Sequence, residues 1–317
     1  MASGSRMASG SPMTRGGQQS VTSSAVLTGK TYLTGLVGAG IGPSLSPALH
    51  EHEAAALGLR YVYRLIDIEA AGLTAADTPG LIRSARLLGF DGLNITHPCK
   101  QGAVAGVSAL SAEAAALGAV NTVVFTGDGA AGHNTDWSGF ARSMRRGLPG
   151  AALGHVVVLG AGGAGAAACY ALARMGAGQL TVFDADEPRA AGLASSLAPQ
   201  FSGRRVEHAP LGELGLTLER AGGLVHATPT GMAGHPGIAV PAETLRPELW
   251  VADIVYRPLE TELVRAARKA GCRTLDGGTM AVFQAADAFE LFTGAEPDIG
   301  RMLADFARLT AGETDHD

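Results

Sequence analysis

Residues 156–186 read VVVLGAGGAGAAACYALARMGAGQLTVFDAD, and the order of segments within this stretch decides the fold class. The apolar run at 156–159 has the length of a buried strand. Gly160, Gly162 and Gly165 follow it as G-x-G-x-x-G. Small apolar residues then carry a predicted helix of about four turns, and QLTVFD at 179–184 predicts a second strand. In a strand–glycine turn–helix unit the first glycine permits the tight turn. The second lets a pyrophosphate approach the backbone, and the third lets helix and strand pack closely. Gly163 and Ala164 fall in the mouth of the helix, where free N–H groups and the positive dipole end favour phosphate. A glycine triplet alone is weak evidence in a chain with 45 glycines, but Asp184 ends the second strand nineteen residues after Gly165. That is where an acidic residue binds the ribose hydroxyls of NAD. Asp184 and Asp186 together would repel a 2′-phosphate, so NAD is expected and NADP disfavoured. Arg189 stands nearby and is read as a solvated helix residue.

Outward from this unit, the composition narrows the alternatives. A chain of 317 residues suits two domains. With a net charge of −5 and no basic block, a nucleic-acid footprint is not expected. No apolar stretch reaches the roughly 18 residues of a membrane span, and no secretory signal is read at the N-terminus. Cys99, Cys169 and Cys272 are too scattered for a disulfide framework or a zinc site, which points to a reducing cytoplasm. Of the nine histidines only His50 and His52 are close together, and on a helix they would face different ways, so no metal is expected. Residues 1–24, in which MASGS occurs twice, read as a disordered or tag-like lead.

The first half of the chain has the rhythm β-α-β-α-β, which predicts a mostly parallel sheet covered by helices. Its strand ends carry dense polar clusters: SLSP at 44–47, NITHPCK at 94–100, AVNT at 119–122 and GHNTD at 132–136. In open α/β sheets, ligands bind beyond the carboxyl ends of the strands. A Lys and an Asp among Asn, Thr and Ser suit a polyhydroxylated acid. Hydroxyls need neutral donors and acceptors, and a transferred proton needs a titratable group.

These clusters, in this order, resemble the shikimate/quinate dehydrogenases. The likeness runs from about residue 34 to 309. It includes SxSP, NxTxPxK, AVNT, GxNTD, the glycine turn, ATPTGM at 227–232, DIVYRPLET at 253–261 and the late Gln284. The resemblance implies that Ser44 and Ser46 hold the substrate carboxylate with Tyr256. It implies that Asn94, Thr96, Asn121 and Gln284 are further substrate ligands, and that Lys100 and Asp136 are the catalytic pair. Thr228 and Met232 would lie in a loop facing the dinucleotide. A Lys ammonium on the reacting oxygen would stabilise its charge and supply the proton. Asp136 has a second reading as a cap of the helix beginning near Trp137. Cys99, His97 and Trp137 are read as structural.

The implied architecture is α/β with two domains. An N-terminal substrate domain (25–136) has a mostly parallel sheet, a Rossmann-type NAD-binding domain follows (137–272), and C-terminal helices (273–317) return to the first. The implied activity is reversible NAD-dependent oxidation of shikimate or quinate to the 3-dehydro acid, by a cytoplasmic monomer or homodimer. Its place would be in the shikimate pathway of aromatic amino acid biosynthesis or in quinate catabolism. Two positions depart from the common pattern. His226 stands where the family usually has Asn. The FDAD segment at 183–186 resembles the NAD-dependent catabolic members, whereas Ser46 is more typical of shikimate enzymes. An NADP-linked biosynthetic shikimate dehydrogenase, a dehydrogenase of an amino-substituted analogue and a non-catalytic metabolite sensor are the competing readings.

Overall fold

In the computed structural model, which describes residues 30–311, the apolar runs form two six-stranded sheets flanked by helices. The lead at 1–24 lies outside the described residues. The first sheet contains β1 (Thr31–Gly38), β2 (Arg60–Asp67), β3 (Gly92–Ile95), β4 (Ala109–Leu110), β5 (Thr122–Thr126) and β6 (Gly129–His133), in the order β2-β1-β3-β5-β6-β4. Helices α1 (Ser46–Ala56), α2 (Thr78–Leu87) and α3 (Ala112–Leu117) lie between its strands in sequence, and α4 (Asp136–Gly147) leads out of it. β1 pairs parallel with β2 and β3, as the β-α-β rhythm predicts. β5 instead runs antiparallel to both β3 and β6. This hairpin was not legible in the sequence. β6 reads GAAGH, with no β-branched or aromatic residue and no alternation to mark a strand. Its consequence is direct: the start of β5 and the end of β6 both arrive at the carboxyl end of β3.

The second sheet is parallel throughout. In chain order its elements are β7 (His155–Leu159), α5 (Gly163–Met175), β8 (Gln179–Phe183), α6 (Glu187–Leu197), β9 (Arg205–His208), α7 (Leu214–Leu218), β10 (Gly223–His226), β11 (Trp250–Asp253), α8 (Glu262–Lys269) and β12 (Thr274–Leu275). The strand order β12-β11-β10-β7-β8-β9 is the doubly wound dinucleotide-binding order. Both faces of β7 are buried, as a covered parallel strand requires. Val156 and Val158 enter the core on one side, Val157 and Leu159 that on the other. The strand order reverses between β7 and β10, so a crevice opens beyond their carboxyl ends.

The final helices, α9 (Gly278–Thr293) and α10 (Ile299–Ala311), return to the first sheet. Val282, Ala285 and Ala286 of α9 share a buried cluster with Leu49 of α1 and with Met302 and Phe306 of α10. Glu53 of α1, fully buried, pairs with the Arg301 guanidinium at 2.7 Å through two nitrogens. α4 spans the two halves. Phe140, Ala141 and Met144 belong to the second core, and Trp137 meets the Tyr170 ring of α5 edge-on at 5.6 Å. On another side α4 packs against α9, where Ser138 and Arg142 both bond Asp287. Among the described residues no helix is long and apolar enough to cross a membrane.

Candidate active site

The carboxyl ends of β1 and β3, with the hairpin, gather the polar clusters that are dispersed in sequence. Lys100, just beyond β3, places Nζ 2.6 Å from Oδ2 of Asp136, the first residue of α4. Asp136 is buried (4% side-chain exposure) and Lys100 keeps 21%, so the pair is sheltered and still open on the lysine side. The N-cap position of α4 is Thr135, without a side-chain capping bond, and Asp136 is the first residue of the helix. The second carboxylate oxygen of Asp136, Oδ1, accepts from Asn121 Nδ2 at 2.9 Å. Asn121 also accepts the Thr135 backbone N–H at 2.7 Å, and Asn134 Oδ1 accepts the Asp136 N–H at 3.1 Å. Strand ends on both arms of the hairpin thus fix the carboxylate that faces Lys100.

The network continues in one direction. Asn94 donates to Thr122 Oγ1 at 3.2 Å, and Thr122 donates to Asn121 Oδ1 at 3.0 Å. Tyr63 of β2 donates its hydroxyl to Asn94 Oδ1 at 2.8 Å. Burial pushes the Tyr63 phenol well above its usual range, so it stays a donor. Ser44 donates to Ser46 at 3.2 Å. One chain of hydrogen bonds therefore runs from Tyr63 to Asp136, and Lys100 meets it from the other side. Chains with a single sense polarise each other and hold one geometry.

The remaining residues approach from other elements. Thr96 follows β3, its methyl lying over Gly38, where a Cβ would come within 2.3 Å of Thr96 Cγ2. Gln284 sits on α9 against Gly139, one turn beyond Asp136. A Cβ at Gly139 would stand 2.9 Å from the Gln284 nitrogen, so the two helices meet backbone to backbone. Tyr256 shares an apolar cluster with Leu45, the residue between Ser44 and Ser46. Its neighbour Arg257 bonds the Pro43 carbonyl, tying this loop to the serine turn.

The glycine turn fits a dinucleotide by its empty space. A Cβ on Gly160 would meet the Ala227 carbonyl oxygen at 2.5 Å, and one on Gly165 the Gly160 oxygen at 1.8 Å. These two glycines are demanded by packing. A Cβ on Gly162 would meet nothing within 4 Å, and one on Gly163 only Lys100 Cδ at 3.7 Å. Those two, with Ala164, border open space at the N-terminus of α5, whose first turn carries no side-chain cap. The aliphatic part of Lys100 thus lies beside the turn. Asp184 accepts the Ala161 N–H at 2.7 Å and the Asp186 N–H at 2.9 Å. Arg189 leans on Asp186 at 3.1 Å and on Asp184 at 3.8 Å. Thr228 lies just past β10, beside the turn, while Met232 in the same segment is exposed. Among the described residues no group of three metal-ligating side chains comes together.

Tyr63, Thr122, Thr135 and Asn134 belong to this network but were not singled out in the sequence. The last three lie inside quoted motifs and could have been. Tyr63 gave no signal, because a tyrosine in an alternating strand looks like any half-buried ring.

A family model described as the shikimate dehydrogenase substrate binding domain matches residues 36–123. A relative in Streptomyces avermitilis named shikimate dehydrogenase (NADP(+)) is 62% identical over 283 residues, 89% of this chain and 97% of the relative. Another in Corynebacterium glutamicum, named quinate/shikimate dehydrogenase (NAD(+)), is 47% identical over 87% of this chain and 98% of the relative. Among solved structures, quinate dehydrogenase from Corynebacterium glutamicum in complex with NAD superposes with a TM-score of 0.83 at 46% identity, covering 88% of this chain and 99% of that one. The chain belongs to the shikimate dehydrogenase family and is an NAD(P)-dependent dehydrogenase of the shikimate/quinate class.

Proposed function

We propose that this enzyme reversibly oxidises shikimate, quinate or both at a ring hydroxyl to the corresponding 3-dehydro acid, with NAD as its preferred dinucleotide. The observation that carries the chemistry is the Lys100–Asp136 pair at 2.6 Å, held by the hairpin and touching the glycine turn. When bound, the dinucleotide accepts the hydride from the carbinol carbon, or returns it to the ketone. Lys100 takes the hydroxyl proton in oxidation and delivers it to the oxygen in reduction. Asp136 aims Lys100 and accepts a neighbouring hydroxyl. Ser44, Ser46 and Tyr256 hold the carboxylate, and Asn94, Thr96, Asn121 and Gln284 bind ring hydroxyls or the carboxylate. The reading assigns residues 25–136 and 273–317 to the substrate and 137–272 to the dinucleotide. Gly160, Gly162, Gly163, Ala164, Gly165, Asp184, Thr228 and Met232 serve the latter.

Preference for NAD rests on charge. The Asp184 carboxylate stands at the end of β8, where a 2′-phosphate would lie, and the Arg189 guanidinium is already engaged by two carboxylates. The second reading, an NADP-linked shikimate enzyme, is favoured by the relative of that name at 62% identity. Initial rates with NAD and NADP, each against shikimate and quinate, test both points. A kcat/KM higher for NADP than for NAD would overturn the assignment of Asp184. Turnover of neither acid would overturn the substrate assignment.

A further inference from the structure

One buried group that the proposed chemistry leaves unused is His226. It ends β10, at the reversal of strand order, and its side chain is fully buried. Nδ1 lies 2.9 Å from Asp253 Oδ1, and Nε2 lies 2.5 Å from Thr228 Oγ1. Asp253 is fully buried as well. It accepts the Val255 N–H at 3.0 Å and the Thr261 hydroxyl at 2.6 Å, and Thr261 caps α8 by accepting the Val264 N–H at 3.1 Å.

These contacts leave one proton arrangement for a neutral imidazole. An ionised carboxylate only accepts, so the proton of a neutral imidazole resides on Nδ1. Nε2 is then a bare acceptor, and the Thr228 hydroxyl donates to it. The Thr228 oxygen is left to accept the Thr230 N–H, which lies 3.3 Å away. In that form the order of donation is Thr230 to Thr228 to His226 to Asp253. Its outer end rests on the glycine turn, because a Cβ on Gly160 would meet the Ala227 carbonyl oxygen at 2.5 Å and the Thr228 nitrogen at 3.1 Å.

We propose that His226 is a positioning residue for the dinucleotide: through Thr228 it sets segment 227–232 against the glycine turn, at the crevice where the strand order reverses. An asparagine here can still donate to Asp253, but it does not reach Thr228. Histidine spans both. The inference rests on the reading that the glycine turn binds a nicotinamide dinucleotide.

The test is titration of the full-length protein with NADH and with NADPH, without substrate, for wild type, Thr228→Val, His226→Asn and the double variant. Each single variant is expected to weaken binding of the better dinucleotide about threefold to tenfold, the loss of one net hydrogen bond. The double variant should bind no more weakly than the singles, since both remove the same link. The shikimate KM of His226→Asn at saturating dinucleotide should not move. A far-downfield imidazole N–H resonance should be present in wild type, shifted in Thr228→Val and absent in His226→Asn. Wild-type affinity in a folded Thr228→Val variant would overturn the proposal, and so would additive losses in the double variant. If His226→Asn fails to fold, His226→Gln takes its place in the titration and in the double variant. A wild-type protein that binds neither dinucleotide would instead overturn the underlying reading of the glycine turn.

Discussion

Replacing Asp136 by Asn changes one atom and puts the site in conflict. The carboxylate now accepts on both oxygens, from Lys100 at 2.6 Å and from Asn121 at 2.9 Å. An amide has one acceptor and one donor end. If its oxygen stays with Asn121, its NH2 faces the Lys100 ammonium. If it turns over, its NH2 faces that of Asn121. Either way a donor meets a donor, and Lys100 loses the charged acceptor that aims it. A hydrogen bond to a charged group contributes about 1.5–3 kcal/mol. Lys100 keeps 21% exposure, so water replaces part of the loss. A net cost of about 2 kcal/mol in the transition state corresponds to about a 30-fold fall in kcat and in kcat/KM. Steady-state oxidation of shikimate, with thermal unfolding to confirm the fold, measures this. The hydrogen bonds of the Asp136 side chain go to Lys100 and Asn121 and not to the glycine turn, so dinucleotide affinity should be unchanged. A folded variant within threefold of wild-type kcat would refute the role given to the pair.

Three further outcomes are expected. Gly165→Ala drives a Cβ toward the Gly160 oxygen at 1.8 Å, so overpacking should cost about 3 kcal/mol and lower Tm by about 6–12 °C. Gly162→Ala meets only open space in the protein; its Tm should stay near wild type while dinucleotide affinity falls at least about tenfold, or about 1.4 kcal/mol. The opposite ranking of the two Tm values would contradict the packing argument. Tyr63→Phe removes the donor to Asn94, and the shikimate KM should rise about threefold to tenfold with no change in dinucleotide affinity. His50, enclosed by Tyr61, Tyr63, Phe289 and Phe292, has its pKa pushed down to about 3 by burial. Unfolding restores an ordinary value near ~6.5, so the unfolded state gains the proton. Stability should therefore hold above that value and fall as pH drops below it, by at most about 1.4 kcal/mol per unit. Urea unfolding across that range should show a steeper slope in wild type than in His50→Asn, and equal slopes would refute the assignment.

The likeness to both NADP-named and NAD-named relatives turns attention to a few side chains at the end of β8. Arg189 was read in the sequence as a solvated helix residue. The structure leaves it half exposed but gives it two carboxylate partners, Asp184 and Asp186. Its charge is engaged on the protein itself, which weakens the case for a phosphate partner without removing the arginine from reach.

What the sequence by itself determined is what backbone conformation dictates. The apolar run before Gly160, the glycine spacing and Asp184 specify a strand, a turn and a second strand, because each demands a particular residue type at a particular position. The polar clusters around Lys100 and Asp136 were legible for a related reason: strand ends with several hydrogen-bonding side chains are poor core and good ligand sites. The tertiary structure alone decided which of those side chains meet. It folded GAAGH into β6, brought Tyr63 to Asn94 across 31 residues, and brought His226 to Asp253 across 27. A side-chain hydrogen bond depends on distance and direction in space. Those are set by how sheets and helices pack, and local sequence carries no record of a partner that packing selects from elsewhere in the chain.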